Sequence, residues 1–505
     1  MMTLAARHIS LFKASADLVA CFVFQDRQIR RQQLAHIRSG LSAGARNVLR
    51  MSPFQGKERE TLLLHPDNGA SPRLLLVGLG EPSKFTTDTL RRASAAVIRT
   101  ASGMKLKSVA MLEPDPRILE SLGSGLRPEI TGTALGEGAL LSGYRYAKYI
   151  TSKDSRSTVT TLSILSEDRD RKRLIESGLR YARIVCEGTV LARDLANAPP
   201  NEIYPDSLAR RAVAAGRRNG FRVTVLNEKA IRARRMGGLV AVSRGSNRPP
   251  RFIIMEYNRA RKRIPIIILI GKGVTFDAGG ISIKPAQGMA EMKMDMSGAA
   301  AVIATMQTIS RLRLPFRVIG LVPATENLLG GSAMKPGDIL THYNGKTSEV
   351  DNTDAEGRLI LADALAFAGR YKPDLVIDLA TLTGACVVAL GQFATGMMGN
   401  DQARMDRLKE AGERTYERVW QLPMFEEYDK LIKSEVADVK NVGPRWAGAI
   451  TAAMFLKRFV GDYPWIHLDI AGTAIIEEAQ AYIPKGGSGV GVRLLTDFLK
   501  HWHTH

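Results

Sequence analysis

The sequence predicts an α/β protein in two parts: a smaller N-terminal α/β domain over residues 1–167, joined by a long helix to a larger α/β domain over 168–505 whose central sheet is mixed and mostly parallel. Three observations carry this. A length of 505 residues exceeds what a single core usually organises. Strand-length apolar runs alternate with helical patterns along both parts. Two runs in the second part, Pro265-Ile-Ile-Ile-Leu-Ile270 and Leu375-Val-Ile-Asp-Leu-Ala380, show almost no polar alternation, as strands covered by helices on both faces require.

In chain order, strands are expected at Leu18–Phe24, Arg73–Val77, Ser108–Leu112 and Thr158–Leu165, with a helix at Thr86–Ser102. No metal-ligand or nucleophile set occurs there, and Gly78-Leu-Gly80 lacks the rest of a dinucleotide fingerprint. Packing, oligomer contacts or covering a site are the roles expected of this part. Arg169–Leu195 reads as the joining helix, stopped at Asn197-Ala-Pro-Pro-Asn201 because proline cannot continue the ladder. A helix at Pro205–Asn219 and strands at Phe221–Leu226 and Phe252–Tyr257 lead into the second sheet.

Composition excludes several classes. Cys21, Cys186 and Cys386 are odd in number, widely separated and in no CxxC arrangement, which argues against a disulfide framework and fits a reducing cytoplasm. No apolar run approaches the roughly 18 residues of a membrane span. The brief run Leu18–Phe24, followed by Gln25-Asp26-Arg27, reads as a strand rather than a signal core. The net charge of +21 is uneven: residues 1–264 hold 46 Lys/Arg against 23 Asp/Glu, and residues 265–505 hold 25 against 27. Arg30-Arg31, Arg210-Arg211, Arg217-Arg218, Arg232-Ala-Arg234-Arg235 and Arg259-Ala-Arg261-Lys262-Arg263 could attract nucleic acid. A solvated arginine-rich surface is the favoured reading, since no nucleic-acid motif or aromatic platform accompanies the charge.

The chemistry concentrates in two stretches. In Asn352-Thr353-Asp354-Ala355-Glu356-Gly357-Arg358-Leu359, an extended backbone would put Asp354, Glu356 and Arg358 on one face, and carboxylates that close repel unless a proton or cation lies between them. Gly357 suits a backbone passing close to ions or substrate. Upstream, Gly271-Lys-Gly-Val-Thr-Phe-Asp-Ala-Gly-Gly280 leaves the C-terminal end of an expected strand, where open α/β sheets place their ligands, and Lys284 and Asp295 follow before a helical run from Gly298. Asp277, Asp295, Asp354 and Glu356 supply four hard oxygen ligands, enough to balance two divalent ions such as manganese, magnesium or zinc. A lysine beside such ions could act as a neutral ligand, or stay protonated and clamp a substrate oxygen; spacing alone does not assign Lys272 and Lys284 between these roles. Asp378 reads as a structural carboxylate capping a turn, His467 as a core histidine, Cys386 as core, and His501, His503 and His505 as a tail.

The run GKGVTFDAGGISIKP, then MKMDMSGAA and NTDAEGRL, resembles the signature of the leucyl aminopeptidases, the di-metal cytosol aminopeptidase family. The resemblance continues through Asp378–Ala385, Gly448–Ala452 and His467–Gly472, covering the chain from about Ala192 to the C-terminal helix. It implies Lys272, Asp277, Asp295 and Glu356 around one ion, Asp277, Asp354 and Glu356 around the other, and catalytic roles for Lys284 and Arg358. It places Met292, Asn352, Ala355, Thr381, Leu382 and Gly384 against substrate, with Ala474 at a pocket position that is methionine in some relatives. The implied activity is a hydrolase, a metalloprotease that removes unsubstituted N-terminal residues, Leu-type preferred, from peptides in intracellular proteolysis. The implied cofactors are two Mn2+ or Zn2+ per subunit and bicarbonate at Arg358, and the implied assembly is a cytoplasmic homohexamer. DNA binding through the basic N-terminal half is the alternative or additional role; a phosphoesterase is disfavoured for want of additional histidine ligands.

Overall fold

The computed structural model describes residues 2–66, 70–123, 125–152, 158–261 and 263–502; Lys262 of the basic cluster and His503 and His505 of the tail lie outside them. The chain forms two compact units, Met1–Cys186 with Glu478–Pro484, and Glu187–Glu477 with Lys485–His505.

The first unit is built on six strands: β1 (Thr3–His8), β2 (Leu18–Phe24), β3 (Thr61–Leu64), β4 (Leu74–Gly80), β5 (Ser108–Leu112) and β6 (Thr161–Ser166). Their order is β1-β6-β5-β2-β4-β3, parallel except for β3. The four strands legible in the sequence are the inner ones. β1 and β3 escape it because they are edges, only partly buried, and β3 is four residues long. The helix Thr87–Gly103 packs on Pro128–Ser142, where the Arg91 and Glu137 side chains pair at 2.5 Å inside the unit. Arg169–Asn197 is one continuous helix of 29 residues, ending two residues beyond the expected Leu195, directly before Ala198-Pro-Pro200.

The second unit carries β7 (Arg222–Leu226), β8 (Arg251–Tyr257), β9 (Ile266–Gly271), β10 (Gly273–Asp277), β11 (Arg317–Asn327), β12 (Ile339–Thr341) and β13 (Thr347–Glu349). β14 (Leu375–Ala380), β15 (Thr395–Gly399), β16 (Val419–Gln421), β17 (Val439–Lys440) and β18 (Trp465–Asp469) follow, and all of these but β12, β13 and β17 form one nine-stranded sheet. The order is β16-β15-β18-β14-β9-β11-β8-β7, with β10 also on β11. Parallel pairings run through β18, β14, β9 and β11, while β8 joins β11 and β7 antiparallel and β15 joins β18 antiparallel, so the sheet is mixed and mostly parallel. Ile268, Ile270, Val376 and Trp465 from the sheet share one core with Leu359, Leu361 and Phe367 of the helix Glu356–Ala368. That is why β9 and β14 read as apolar runs almost without polar alternation: both faces are covered.

Candidate metal and catalytic centre

Three neighbouring strands end together. The register sets Gly271 of β9 beside Leu379 of β14, and Ala380 of β14 beside Asp469 of β18. The residues that follow, Lys272 and Thr381, therefore enter one space: Lys272 N donates to Leu379 O at 3.0 Å, and its Nζ to Thr381 O at 2.9 Å. β10 carries the chain on to Asp277, opposite Asn327 at the end of β11. Asn327 Nδ2 donates to Asp277 Oδ1 at 2.8 Å and to Thr353 O at 3.1 Å, tying the two acidic stretches together.

A reversal then brings Lys284 back. Gly279 and Gly280 adopt φ of +88° and +66°, which favours glycine at both positions, and Lys284 N returns to donate to Ala278 O at 2.9 Å. Ser282 N donates to Thr353 Oγ1 at 2.8 Å, and Thr353 Oγ1 donates to Gly279 O at 2.7 Å. Lys284 Nζ ends 2.9 Å from Asp277 Oδ2 and 2.5 Å from Asp354 Oδ1. On the other side, Lys272 Nζ lies 2.8 Å from both Asp295 Oδ2 and Glu356 Oε1, and Thr381 Oγ1 donates to Asp295 Oδ1 at 2.7 Å. Carboxylate oxygens of Asp277, Asp354 and Glu356 gather within 4.8 Å of one another.

Residues 354–358 do not take the extended backbone expected from the sequence, because Glu356 opens the helix Glu356–Ala368. Glu356 and Arg358, two apart on a helix, do not share a face. Glu356 turns to Lys272, whereas Arg358 donates from Nη1 to Asn441 O at 2.6 Å. Asp354 reaches the cluster from the loop before the helix, where Asn352 Oδ1 accepts its backbone N–H at 2.8 Å.

The electrostatics follow from burial. Lys272, Asp277, Asp295 and Glu356 are 3, 2, 7 and 1% exposed. Burial, with Lys272 partly offsetting it, raises the Asp295 carboxyl above its ordinary range; burial together with Asp277 does the same to Glu356, and burial raises Asp354. Burial opposes the charge on both lysines, but their carboxylate neighbours outweigh it and raise both. Four carboxyl groups against two ammonium groups leave acidic groups in excess in a largely buried site. Among the described residues, Asp295 Oδ2, Asp354 Oδ1 and Glu356 Oε1 accept no hydrogen bond beyond their lysine ion pairs. This oxygen-rich donor set fits divalent cations.

Four of the residues expected against substrate, Met292, Asn352, Ala355 and Thr381, adjoin the cluster, and Leu382 and Gly384 follow Thr381 in the chain. Met292 sits in the 3-10 turn Met289–Met294 and its carbonyl accepts from Asp295 N; Asn352 and Ala355 flank Asp354; Thr381 touches Asp295 and Lys272. Leu382 N donates to Asp469 Oδ1 at 3.2 Å, and Gly384 opens the helix Gly384–Leu390. Ala474 is buried beside Ser297 and Ser488. Asp378 does not cap a turn: it accepts from Trp465 Nε1 at 2.7 Å and meets His467 Nδ1 at 2.6 Å, linking β14 to β18. His467 is a core residue and so is Cys386, whose thiol burial pushes up to about 12. Sequence reasoning missed Asn327, Thr353, Asn441 and Asp469, neutral or isolated polar residues that no ligand spacing marks. The one available signal was a polar residue ending an apolar strand, as Asn327 and Asp469 do.

The family description "Cytosol aminopeptidase family, catalytic domain" matches residues 190–496, and that family's N-terminal domain matches residues 20–153. The chain is 47% identical over 461 residues to a probable cytosol aminopeptidase of Roseiflexus castenholzii, covering 90% of this chain and 93% of that one. It is 42% identical over 502 residues to one of Geobacter sulfurreducens, covering 99% of each. Among solved structures it is similar to a tomato leucine aminopeptidase mutant, with a TM-score of 0.85, 32% identity and coverage of 99% of this chain and 96% of that one. It is also similar to the bottromycin maturation enzyme BotP in complex with Mn, with a TM-score of 0.84, 33% identity and coverage of 97% and 100%. No helix among the described residues is long and apolar enough to cross a membrane. With both domains matched and the acidic cluster assembled, this chain belongs to the cytosol aminopeptidase family and is a metal-dependent aminopeptidase acting on peptide N-termini.

Proposed function

We propose that the chain is a di-metal leucyl-type aminopeptidase, in which Lys272, Asp277, Asp295 and Glu356 hold one divalent ion and Asp277, Asp354 and Glu356 the other. The observation that carries this is the convergence of four carboxylates, from four separate segments, on two lysines. When bound, two such ions supply a water of lowered pKa and polarise the scissile carbonyl. Manganese is the first choice, since the similar BotP structure is in complex with Mn; zinc is the second.

Lys272 and Lys284 divide by access. The Lys272 side chain is 4% exposed, fitting an inner ligand; that of Lys284 is 22% exposed, fitting an ammonium that donates to the oxyanion developing on the substrate carbonyl. Arg358 keeps a planar fork beside the cluster, suited to holding bicarbonate or an ordered water that takes the proton of the attacking water. Met292, Asn352, Ala355, Thr381, Leu382 and Gly384 border the substrate, which binds with its free amine toward the ions. Cytoplasmic peptide turnover and a homohexamer, with a division of the chain at 167/168, complete this reading.

The test is hydrolysis of a leucyl-amide reporter by the full chain after chelation, then with Mn2+ or Zn2+ restored, beside Lys284→Ala. Restored activity that the substitution abolishes supports the reading; inactivity with every metal in an assembled protein overturns it.

The second reading, DNA binding by the basic half, has weaker support. Arg210, Arg211 and Arg232 of the basic clusters are spent on Asp206, Glu202 and Glu228. Arg217 and Arg218 are exposed and line a shallow groove on the helix Pro205–Asn219. Retention on DNA that falls steeply with salt, and is lost on replacing both, is the result this reading requires.

A further inference from the structure

Asn441 belongs to none of the motifs described above, yet its contacts reach both the loop that carries Asp354 and the Arg358 guanidinium. It is fully buried, at 0% exposure, directly after β17. β17 pairs with β13 in the small sheet β12-β13-β17, and Asn441 N donates to Glu349 O at 2.9 Å, so the residue is fixed from behind by a sheet. Its side chain spends its whole capacity on one loop. Oδ1 accepts from Asp351 N at 2.7 Å and Asn352 N at 3.3 Å; Nδ2 donates to Asn352 O at 2.7 Å and, more weakly, to Ala355 O at 3.4 Å. An amide has two donors and one two-lone-pair acceptor, and all are used. The partners also fix the orientation of the amide, with N–H groups facing its oxygen and carbonyls facing its nitrogen.

These bonds straddle Asp354 from both sides of the chain. The Asn441 carbonyl accepts from Arg358 Nη1 at 2.6 Å, so the same residue holds the guanidinium. Arg358 is buried and its Nε has no hydrogen-bond partner among the described residues, leaving the Asn441 carbonyl as a principal anchor of the fork.

We propose that Asn441 is a positioning residue that locks the Asp354 loop and the Arg358 fork into one block, setting the distance between the acidic centre and the guanidinium; this rests on the di-metal reading above. Aspartate cannot replace it, because a carboxylate keeps the acceptor but loses both donors and faces two backbone carbonyls. Alanine takes from the loop the acceptor of the Asp351 and Asn352 N–H groups and the donors to Asn352 O and Ala355 O, while Asn352 O keeps its 3.3 Å bond from Ala355 N.

The test uses the full chain stripped with chelator and titrated with Mn2+, free Mn2+ being read by its electron paramagnetic resonance signal. Wild type, Asn441→Ala and the near-isosteric Asn441→Asp are compared, with kcat and KM on a leucyl-amide measured at saturating Mn2+. Outer-shell changes typically weaken metal affinity or activity by about 10–100-fold. The expected result is a Mn2+ dissociation constant raised about tenfold or more at an unchanged number of ions per chain, with a lower kcat and a KM within about threefold. A merely structural role would give a partly unfolded population that binds fewer ions at unchanged affinity, and that result overturns the proposal. So does wild-type Mn2+ affinity with wild-type kcat in both variants. If the wild type hydrolyses no peptide, the aminopeptidase reading fails, while the Mn2+ titration still decides the role of Asn441.

Discussion

Gly357 and Lys272 lie so close that a side chain on the first would displace the second: a Cβ at Gly357 would stand 2.6 Å from Lys272 Cε and 2.7 Å from its Nζ. Lys272 has no free space to yield, being 3% exposed and held by Asp295, Glu356 and the Thr381 carbonyl. Alanine at a helical position otherwise favours the fold by up to about 1 kcal/mol. Gly357→Ala is therefore expected to leave the thermal midpoint within a few degrees or raise it, while weakening metal binding and activity by about 10–100-fold. Calorimetry beside the reporter assay checks it, and a stable variant with full activity contradicts the contact.

The two lysines separate by experiment. Lys284→Ala should bind as many Mn2+ as wild type yet lose roughly 10²–10³ in kcat, the usual loss when an oxyanion donor is removed. Lys272→Ala should lose an ion outright if, as proposed above, its amine and the carboxylates it spaces hold that ion. Mn2+ stoichiometry on each variant decides; equal stoichiometry in both would remove the distinction drawn from their exposure.

Metal binding should strengthen as pH rises. Burial raises the folded-state pKa values of Asp295, Asp354 and Glu356, so protons compete for these oxygens above the ordinary carboxylate range. In chelated protein, a carboxyl with a raised pKa contributes stability that is present below its unfolded value and lost as pH rises through the folded one. Bound metal opposes that loss. The shift in melting temperature on adding Mn2+ is expected to grow from about pH 5.5 to about pH 8; a constant or shrinking shift would contradict the assignment.

Within the N-terminal unit, Arg91 and Glu137 form an ion pair with side chains 5% and 3% exposed. Glu137→Gln leaves the guanidinium buried, with Asp88 3.7 Å from its Nη1. The expected destabilisation is about 3 kcal/mol by urea unfolding, because the guanidinium stays buried after losing its 2.5 Å carboxylate partner. A change under about 1 kcal/mol would show that Asp88 suffices.

The sequence by itself determined the class of the fold and the chemical type of the site. Buried strands β9 and β14 announce themselves by apolar runs with almost no polar alternation, and Asp277, Asp295, Asp354 and Glu356 by carrying costly charge near apolar strands and helices. Burial acts on each residue locally, so it leaves a local mark. Edge strands β1 and β3 left little mark because they are partly solvated. The helix start at Glu356 reads as extended in the sequence, since two residues of spacing look alike until the helix Glu356–Ala368 packs on the sheet. Only the tertiary structure decided which lysine lies deep, where Arg358 turns, and that Asn441 holds the Asp354 loop from 87 positions away in the chain. Hydrogen bonds between neutral groups distant in sequence are set by register and sheet order, and no local pattern of residues encodes those.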